Sequence, residues 1–326
     1  MKRFIFAPLA IGILLFLASP PALAEAPRTV SFIPQWLPQA QFAGYYMAFE
    51  KGLYRKNGID AMILRGGPEY PPSELLARNR VNFTTMFLST AIQLRDQGLR
   101  LVNIGQIVQR SGFILVTRKA DAIQSPADLN GRAVGIWPDF RLQPQAFFKK
   151  YGLTVRTVPQ GASLNLFLRG GVAAASAMWY NEYHTLINSG FNEDELQAFF
   201  FYRHGLNFPE DGLYCREETF RRDPELCRRF AFASMEGWQY AFANPEETLD
   251  VVMRYVREAN IGTNRVHQRW MLDRMNDLIL PMGSRTAFGH LDRADYLRVA
   301  GELMQNGLIK KIPDYGAFYV DFSRPR

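Results

Sequence analysis

TVSFIPQWLPQAQFAGYYMAFEKGLYRKNGIDAMIL, residues 29–64, holds a short apolar run, a helical pattern and a second short apolar run. TVSFI at 29–33 and IDAMIL at 59–64 have the length and the β-branched and aliphatic content of strands. Between them Phe42, Tyr45, Tyr46, Phe49 and Leu53 recur at helical spacing, the stripe an amphipathic helix turns to a core. Basic residues broken by glycine close the pattern. A strand, a helix and a strand in that order predict a parallel α/β unit.

The alternation continues outward through VNFTTM at 81–86, LVNIGQIVQ at 101–109, AVGIW at 133–137, LTVRTV at 153–158 and GVAAASAM at 171–178. From about residue 217 the chain reads as helices: 224–243 sets Leu226, Phe230, Ala233, Gly237 and Ala241 on one stripe, and 291–306 continues in that mode. Two junctions read as crossings between lobes. In FILVTRKADAIQSPADLNGRAVGI (113–136) an apolar strand leads to a helix start at Ser125 and Pro126 and then to a new strand. In NFPEDGLYCREETF (207–220) a Pro-Glu-Asp-Gly turn is expected before a short strand. The expected organisation is α/β with two lobes, residues 25–115 with 213–326 and residues 116–212. Each lobe is a mostly parallel sheet flanked by helices, hinged to close on a ligand.

The N-terminus sets the destination. Lys2 and Arg3 precede an apolar run and then Ala22, Leu23 and Ala24, the three parts of a secretory signal peptide, with cleavage expected after Ala24. The run is shorter than the ~20 residues of a membrane span, and no cysteine follows it for lipid attachment. The periplasm is the expected compartment. A chain 48% hydrophobic and 21% charged is globular, and the part left after cleavage is long enough for two lobes of ordinary size. Of the net charge of +7, Lys2 and Arg3 leave with the signal; the rest is spread along the chain rather than gathered in a stripe, which argues against nucleic acid. Cys215 and Cys227 are either a disulfide or two separate buried thiols. Neither has metal-ligand spacing with His184, His204, His267 or His290.

Ligands of open α/β sheets sit beyond the carboxyl ends of the strands. Trp36, Gln39 and Gln41 follow the first strand, with Tyr45 on the helix behind them; Gly67 follows the second, and Ser89 and Thr90 the third. Trp137 and Phe140 follow one second-lobe strand, with Arg141 beside them, and Asn181 and Glu182 follow another. These are the candidate ligand residues. Plainer readings stand beside these: the stripe residues Phe42, Phe49 and Leu53 are core, Trp36 reads also as a core ring, glycine pairs make turns, hydroxyls cap helices, and Glu182 suits a helix dipole. Rings for stacking together with amides and carboxylates suit a flat nitrogen heterocycle. A sulfonate or nitrate would use arginine and bare helix N-termini, and Arg141 is the residue for that. No G-x-S-x-G, H-E-x-x-H or phosphate loop is present, and Glu182 and His184 diverge on a helix, so no catalytic residue, metal or cofactor is expected.

QWLPQAQFAGYYMAFEKGLYRKNGID (35–60) resembles the start of the ABC-importer solute-binding proteins related to the thiamine-pyrimidine-precursor, sulfonate and nitrate binders, a family that also includes the eukaryotic thiamine-pyrimidine synthases. SPADLNGRAVGI and GGVAAASAMWYNEYHTLINSG extend the resemblance into the second lobe. It implies a type II periplasmic-binding-protein fold and a monomer that passes a small molecule to an inner-membrane permease. Pyrimidine-precursor binders of the family carry an Asp before the Trp and a His after it, where this chain has Gln35 and Gln41, and the synthases' cysteine cluster is absent. The expected ligand is a pyrimidine-type thiamine precursor. The alternatives are an aliphatic sulfonate, a flavin or a related solute, or, in another class, a synthase-like enzyme.

Overall fold

The computed structural model describes residues 26–283 and 286–322; the expected signal segment 1–24 lies outside them. Ten strands, β1 Arg28–Ile33, β2 Ile59–Ile63, β3 Phe83–Phe87, β4 Leu101–Gln106, β5 Phe113–Arg118, β6 Ala133–Ile136, β7 Arg156–Pro159, β8 Ala174–Met178, β9 Leu196–Phe200 and β10 Asp211–Arg216, make two five-stranded sheets. The first has the order β2-β1-β3-β10-β4 and the second β7-β6-β8-β5-β9. In each, the fourth strand alone opposes its neighbours: β10 is antiparallel to β3 and β4, and β5 to β8 and β9. Both opposed strands arrive from the other sheet. The chain leaves the first sheet after Gln106, enters the second at Phe113, and returns between Phe200 and Asp211. A strand entering from the cleft side must run against strands whose carboxyl ends face that side, so the inserted strand is antiparallel.

The opening helix is shorter than the stripe predicts. A 3-10 turn, Ala40–Phe42, leads into a helix at Ala43–Glu50, which ends before Gly52 in the left-handed region (φ 65°), and a separate short helix spans Leu53–Lys56. Phe42, Tyr45 and Tyr46 are buried as expected, but Phe49 is 41% exposed. The helix is enclosed through Ala48 and then emerges, where Glu50 pairs with Arg254 at 2.6 Å. Enclosure comes from the long helix Pro224–Ala243, whose predicted stripe is buried throughout. The two helices cross at glycines: a Cβ on Gly44 would sit 2.2 Å from the Trp238 ring, and one on Gly237 2.1 Å from the Gly44 carbonyl oxygen. Beneath them Phe230 stacks on Phe83 (4.1 Å) and Tyr54 (5.1 Å), tying helix to sheet.

Other expected elements shift. LVNIGQIVQ is a strand only to Gln106, because residues 107–112 cross to the other sheet; the LTVRTV strand starts at Arg156; and β9, LQAFF, was not foreseen. The expected Pro-Glu-Asp-Gly turn is not one: residues 206–210 run without regular structure straight into β10, and Glu210 and Asp211 are buried. Asp-Gly is a turn signal when its carboxylate can reach water; here packing between lobes overrides it. No helix among the described residues is long and apolar enough to cross a membrane.

Candidate functional site

The carboxyl ends of β3, β6 and β8 and the crossing segment 201–210 enclose a cavity of about 310 Å³. Phe87 and Ser89 line it from the first lobe, Phe140, Arg141 and Gln143 from the second, and Glu210 from the crossing. That volume is at the lower end of small-molecule pockets. Phe87 and Phe140 meet across it at 5.3 Å, so each lobe supplies a ring to the other.

Beside the cavity lies a buried carboxyl pair. Asp211 opens β10, and its Oδ2 accepts from Gln41 Nε2 at 2.8 Å while Oδ1 accepts from Gln35 Nε2. Gln41 Oε1 in turn accepts from Gln39 Nε2 at 2.6 Å. The loop carrying these amides is fixed by its backbone: Gln35 N–H donates to Thr85 Oγ1 (2.9 Å) and Ala40 N–H to Gln268 Oε1 (2.7 Å). Glu210 Oε1 accepts from Gly112 N–H (2.6 Å) and Ser111 Oγ (3.2 Å), tying the two crossings together. Among the described residues neither carboxylate has a salt-bridge partner. Burial pushes the Asp211 carboxyl up to about 7, with Gln41 pulling the other way. Burial and then the neighbouring Asp211 charge push Glu210 up to about 8. Tyr180, whose phenol also rises on burial, feels Glu210, Asp211 and Glu182 together. The buried carboxyl pair therefore holds its protons near neutral pH, and Arg141 is the cation in the cavity lining beside it.

The candidate residues do not all meet at the cavity. Ser89 and Phe140 line the cavity. Gln39 and Gln41 belong to the amide chain on Asp211, and Trp36, 42% exposed, stands on the same loop. Gly67 belongs to the loop that backs it, where a Cβ on neighbouring Gly66 would lie 2.1 Å from the Pro34 carbonyl oxygen; glycine there lets two loops touch. Tyr45 is a core ring, 4.8 Å from Phe32 and 5.7 Å from Trp238. Thr90 is half-buried in the helix Leu88–Asp96. Trp137 packs on Phe113 (5.3 Å) and donates Nε1–H to Gly161 O (3.1 Å). Glu182 turns back on its own loop, accepting from Met178 N–H and Asn181 Nδ2, both at 2.9 Å, and its carboxyl is raised by burial.

Asn181 opens onto a contact that sequence reading missed. Its Oδ1 lies 2.9 Å from Nε2 of His267, on the helix Arg265–Ile279, and His267 Nδ1 lies 3.0 Å from His184 Nδ1. Oδ1 can only accept, so Nε2 carries the His267 proton and its Nδ1 is an acceptor facing His184 Nδ1, which also lies 3.2 Å from Asn188 Nδ2. Alongside, Trp270 donates Nε1–H to Trp179 O (2.9 Å), and the Arg274 guanidinium sits over Trp179 (4.7 Å) and Trp270 (4.8 Å). This clasp joins the lobes along one flank; Lys149 Nζ to Gln305 Oε1 (2.8 Å) joins them at another point. Among the described residues no group of three or more His, Cys, Asp or Glu could hold a metal ion.

Neither Asp211 nor the clasp has a local motif. The one signal for Asp211 was a carboxylate at the head of an otherwise apolar strand, DGLYC.

Known proteins agree with this architecture. The chain is 25% identical over 316 residues to the riboflavin-binding protein RibY of Chloroflexus aurantiacus, covering 88% of this chain and 86% of that one. It is 26% identical over 273 residues to the formylaminopyrimidine-binding protein of Halalkalibacterium halodurans, covering 80% and 81%. Its fold superposes on the periplasmic aliphatic sulphonate binding protein SsuA of Escherichia coli with a TM-score of 0.70 at 14% identity, over 89% of this chain and 96% of that one. The family pattern described as NMT1/THI5 like matches residues 39–248. The chain thus belongs to the NMT1/THI5-like family and has the two-lobed fold of the periplasmic solute-binding proteins.

Proposed function

We propose that the protein is the periplasmic solute-binding component of an ABC importer, exported through a cleaved signal peptide and working as a monomer. It captures a small nitrogen heterocycle between its lobes, a pyrimidine-type thiamine precursor, and releases it to a permease. The observation that carries the ligand class is the carboxyl pair of Glu210, which lines the cavity, and Asp211, next to it in the chain, both buried and without an ion-pair partner among the described residues. A buried carboxylate needs donors. Two glutamine amides occupy part of Asp211's capacity, and a carboxylate offers about four lone-pair sites. An exocyclic amino group beside a ring nitrogen supplies N–H donors, and Phe87 and Phe140 supply ring faces. An anionic ligand would instead face two buried carboxyls that hold their protons only below about 7 to 8.

Calorimetric titration of ligand-free protein with formylaminopyrimidine, riboflavin and an aliphatic sulfonate tests this. The expected result is that the pyrimidine binds best and that Asp211→Asn weakens it at least tenfold. Arg141 also lines the cavity, at the start of the helix Leu142–Lys150, which favours the sulfonate as second reading. Tighter sulfonate binding that is lost in Arg141→Ala would establish that reading instead. A synthase-like enzyme would change mass on exposure to iron and oxygen, and a solute-binding protein would not.

A further inference from the structure

β10 and the helix Pro224–Ala243 bring two sulfurs together in the core of the first lobe. Cys215 lies in β10, paired with Phe83 of β3 and Val102 of β4, and Cys227 lies in the first turns of the helix. Their Sγ atoms are 3.8 Å apart, and both side chains are fully buried. We propose that Cys215 and Cys227 are a disulfide-forming pair, bridged as the exported chain folds.

The geometry is already close. The sulfurs face each other, and a bond of ~2.05 Å asks each to move by about 1 Å, within the reach of small side-chain rotations. The chain between them holds the helix Glu217–Arg222 and the cap at Asp223, whose side chain accepts from Leu226 N–H at 2.9 Å, so the loop to be closed is short and ordered. Nothing nearby gives two free thiols other work: neither lines the ligand cavity, and no metal-binding group includes them among the described residues.

The oxidant is a disulfide of the glutathione or protein-dithiol class. One cysteine thiolate attacks it, forming a mixed disulfide and releasing one reduced thiol. The second cysteine thiolate then displaces the other half. Two thiols lose two protons and two electrons, and the oxidant becomes two thiols. Burial pushes the Cys215 thiol well above its usual range, so exchange is slow once the lobe is packed. The bridge therefore forms before the helix settles on the sheet and is shielded afterwards. It anchors the strand that begins with Asp211 to the longest helix of its lobe.

The test needs neither a ligand nor a localisation. The reduced, denatured chain is refolded in a buffer of reduced and oxidised glutathione, and native monomer is isolated. It is then denatured in iodoacetamide without reductant and its intact mass is measured. The expected product carries no alkyl group and is about 2 Da lighter than the dithiol. Two alkyl groups on the native monomer would overturn the proposal, and so would one glutathione adduct with one alkyl group.

Discussion

Asp211 gathers what the sequence had scattered. Gln35 and Gln41 replace the Asp and His that the family resemblance led one to expect, and both are donors to one carboxylate supplied from β10. Asp211→Asn should weaken the preferred ligand by about 1.5 to 3 kcal/mol, the scale of a hydrogen bond to a charged group. Melting of the ligand-free variant should show a modest loss, because Asn can accept from only one of the two glutamine amides that the Asp211 carboxyl holds. The pH dependence has a definite sign. Asp211 and Glu210 are raised to about 7 and about 8, so the folded chain keeps protons that the unfolded chain sheds near pH 4. Their contribution to stability is present below that value and is lost as pH rises through about 7 to 8. For a ligand that does not itself titrate there, donor binding should draw those protons off. Calorimetry at pH 7 in buffers of different ionisation enthalpy should then show net proton release on binding. Trp36, exposed at the same loop, should behave as a stacking face: Trp36→Ala loses about 1 to 3 kcal/mol of binding and Trp36→Phe much less.

Among elements, two contacts decide how the lobes are built and joined. The crossing of Ala43–Glu50 with Pro224–Ala243 has no room for a methyl group, so Gly237→Ala should lower stability by about 1 to 3 kcal/mol, the cost of overpacking, read by denaturant unfolding. The clasp on Arg265–Ile279 behaves differently, since it joins the lobes and contributes less to either core. His267 hydrogen-bonds as a neutral ring, and a proton added at its Nδ1 would remove the acceptor that faces His184. His267 is depressed to about 4 by burial and then by His184, which is itself lowered by burial although Glu193 opposes the shift. A histidine with a depressed folded value contributes stability above its unfolded value near 6.5 and loses it as pH falls toward 4. Small-angle scattering of the ligand-free protein should show the lobes separating as pH falls from about 6.5 through 4. Trp270→Ala, which removes the indole stacked on His184 (5.0 Å) and Tyr183 (6.0 Å), should open them already at pH 7. No change of radius in either case would mean that the crossings alone hold the lobes.

For the whole molecule, ligand binding should compact the protein and stabilise it by mass action, about 2.7 kcal/mol at a concentration one hundred times Kd, seen as a raised melting temperature. The two-sheet architecture was legible because strand-length apolar runs and helical stripes are local patterns, as in TVSFI, IDAMIL and the buried face of Leu226, Phe230 and Ala233. So was the neighbourhood of the cleft, since loops after strands carry ligands whatever their detailed course. The reversed direction of β5 and β10 was not legible, because direction depends on which sheet the chain has just left. Nor was the burial of Glu210 and Asp211, whose Asp-Gly pair signals a turn until a second lobe covers it. The exposure of Phe49 and the meeting of His184 with His267 also depend on partners far along the chain. Local sequence determined which segments become strands and helices and which loops stand at their ends. Only the tertiary structure decided which side chains lose water there, and with it the charge and chemistry of the site.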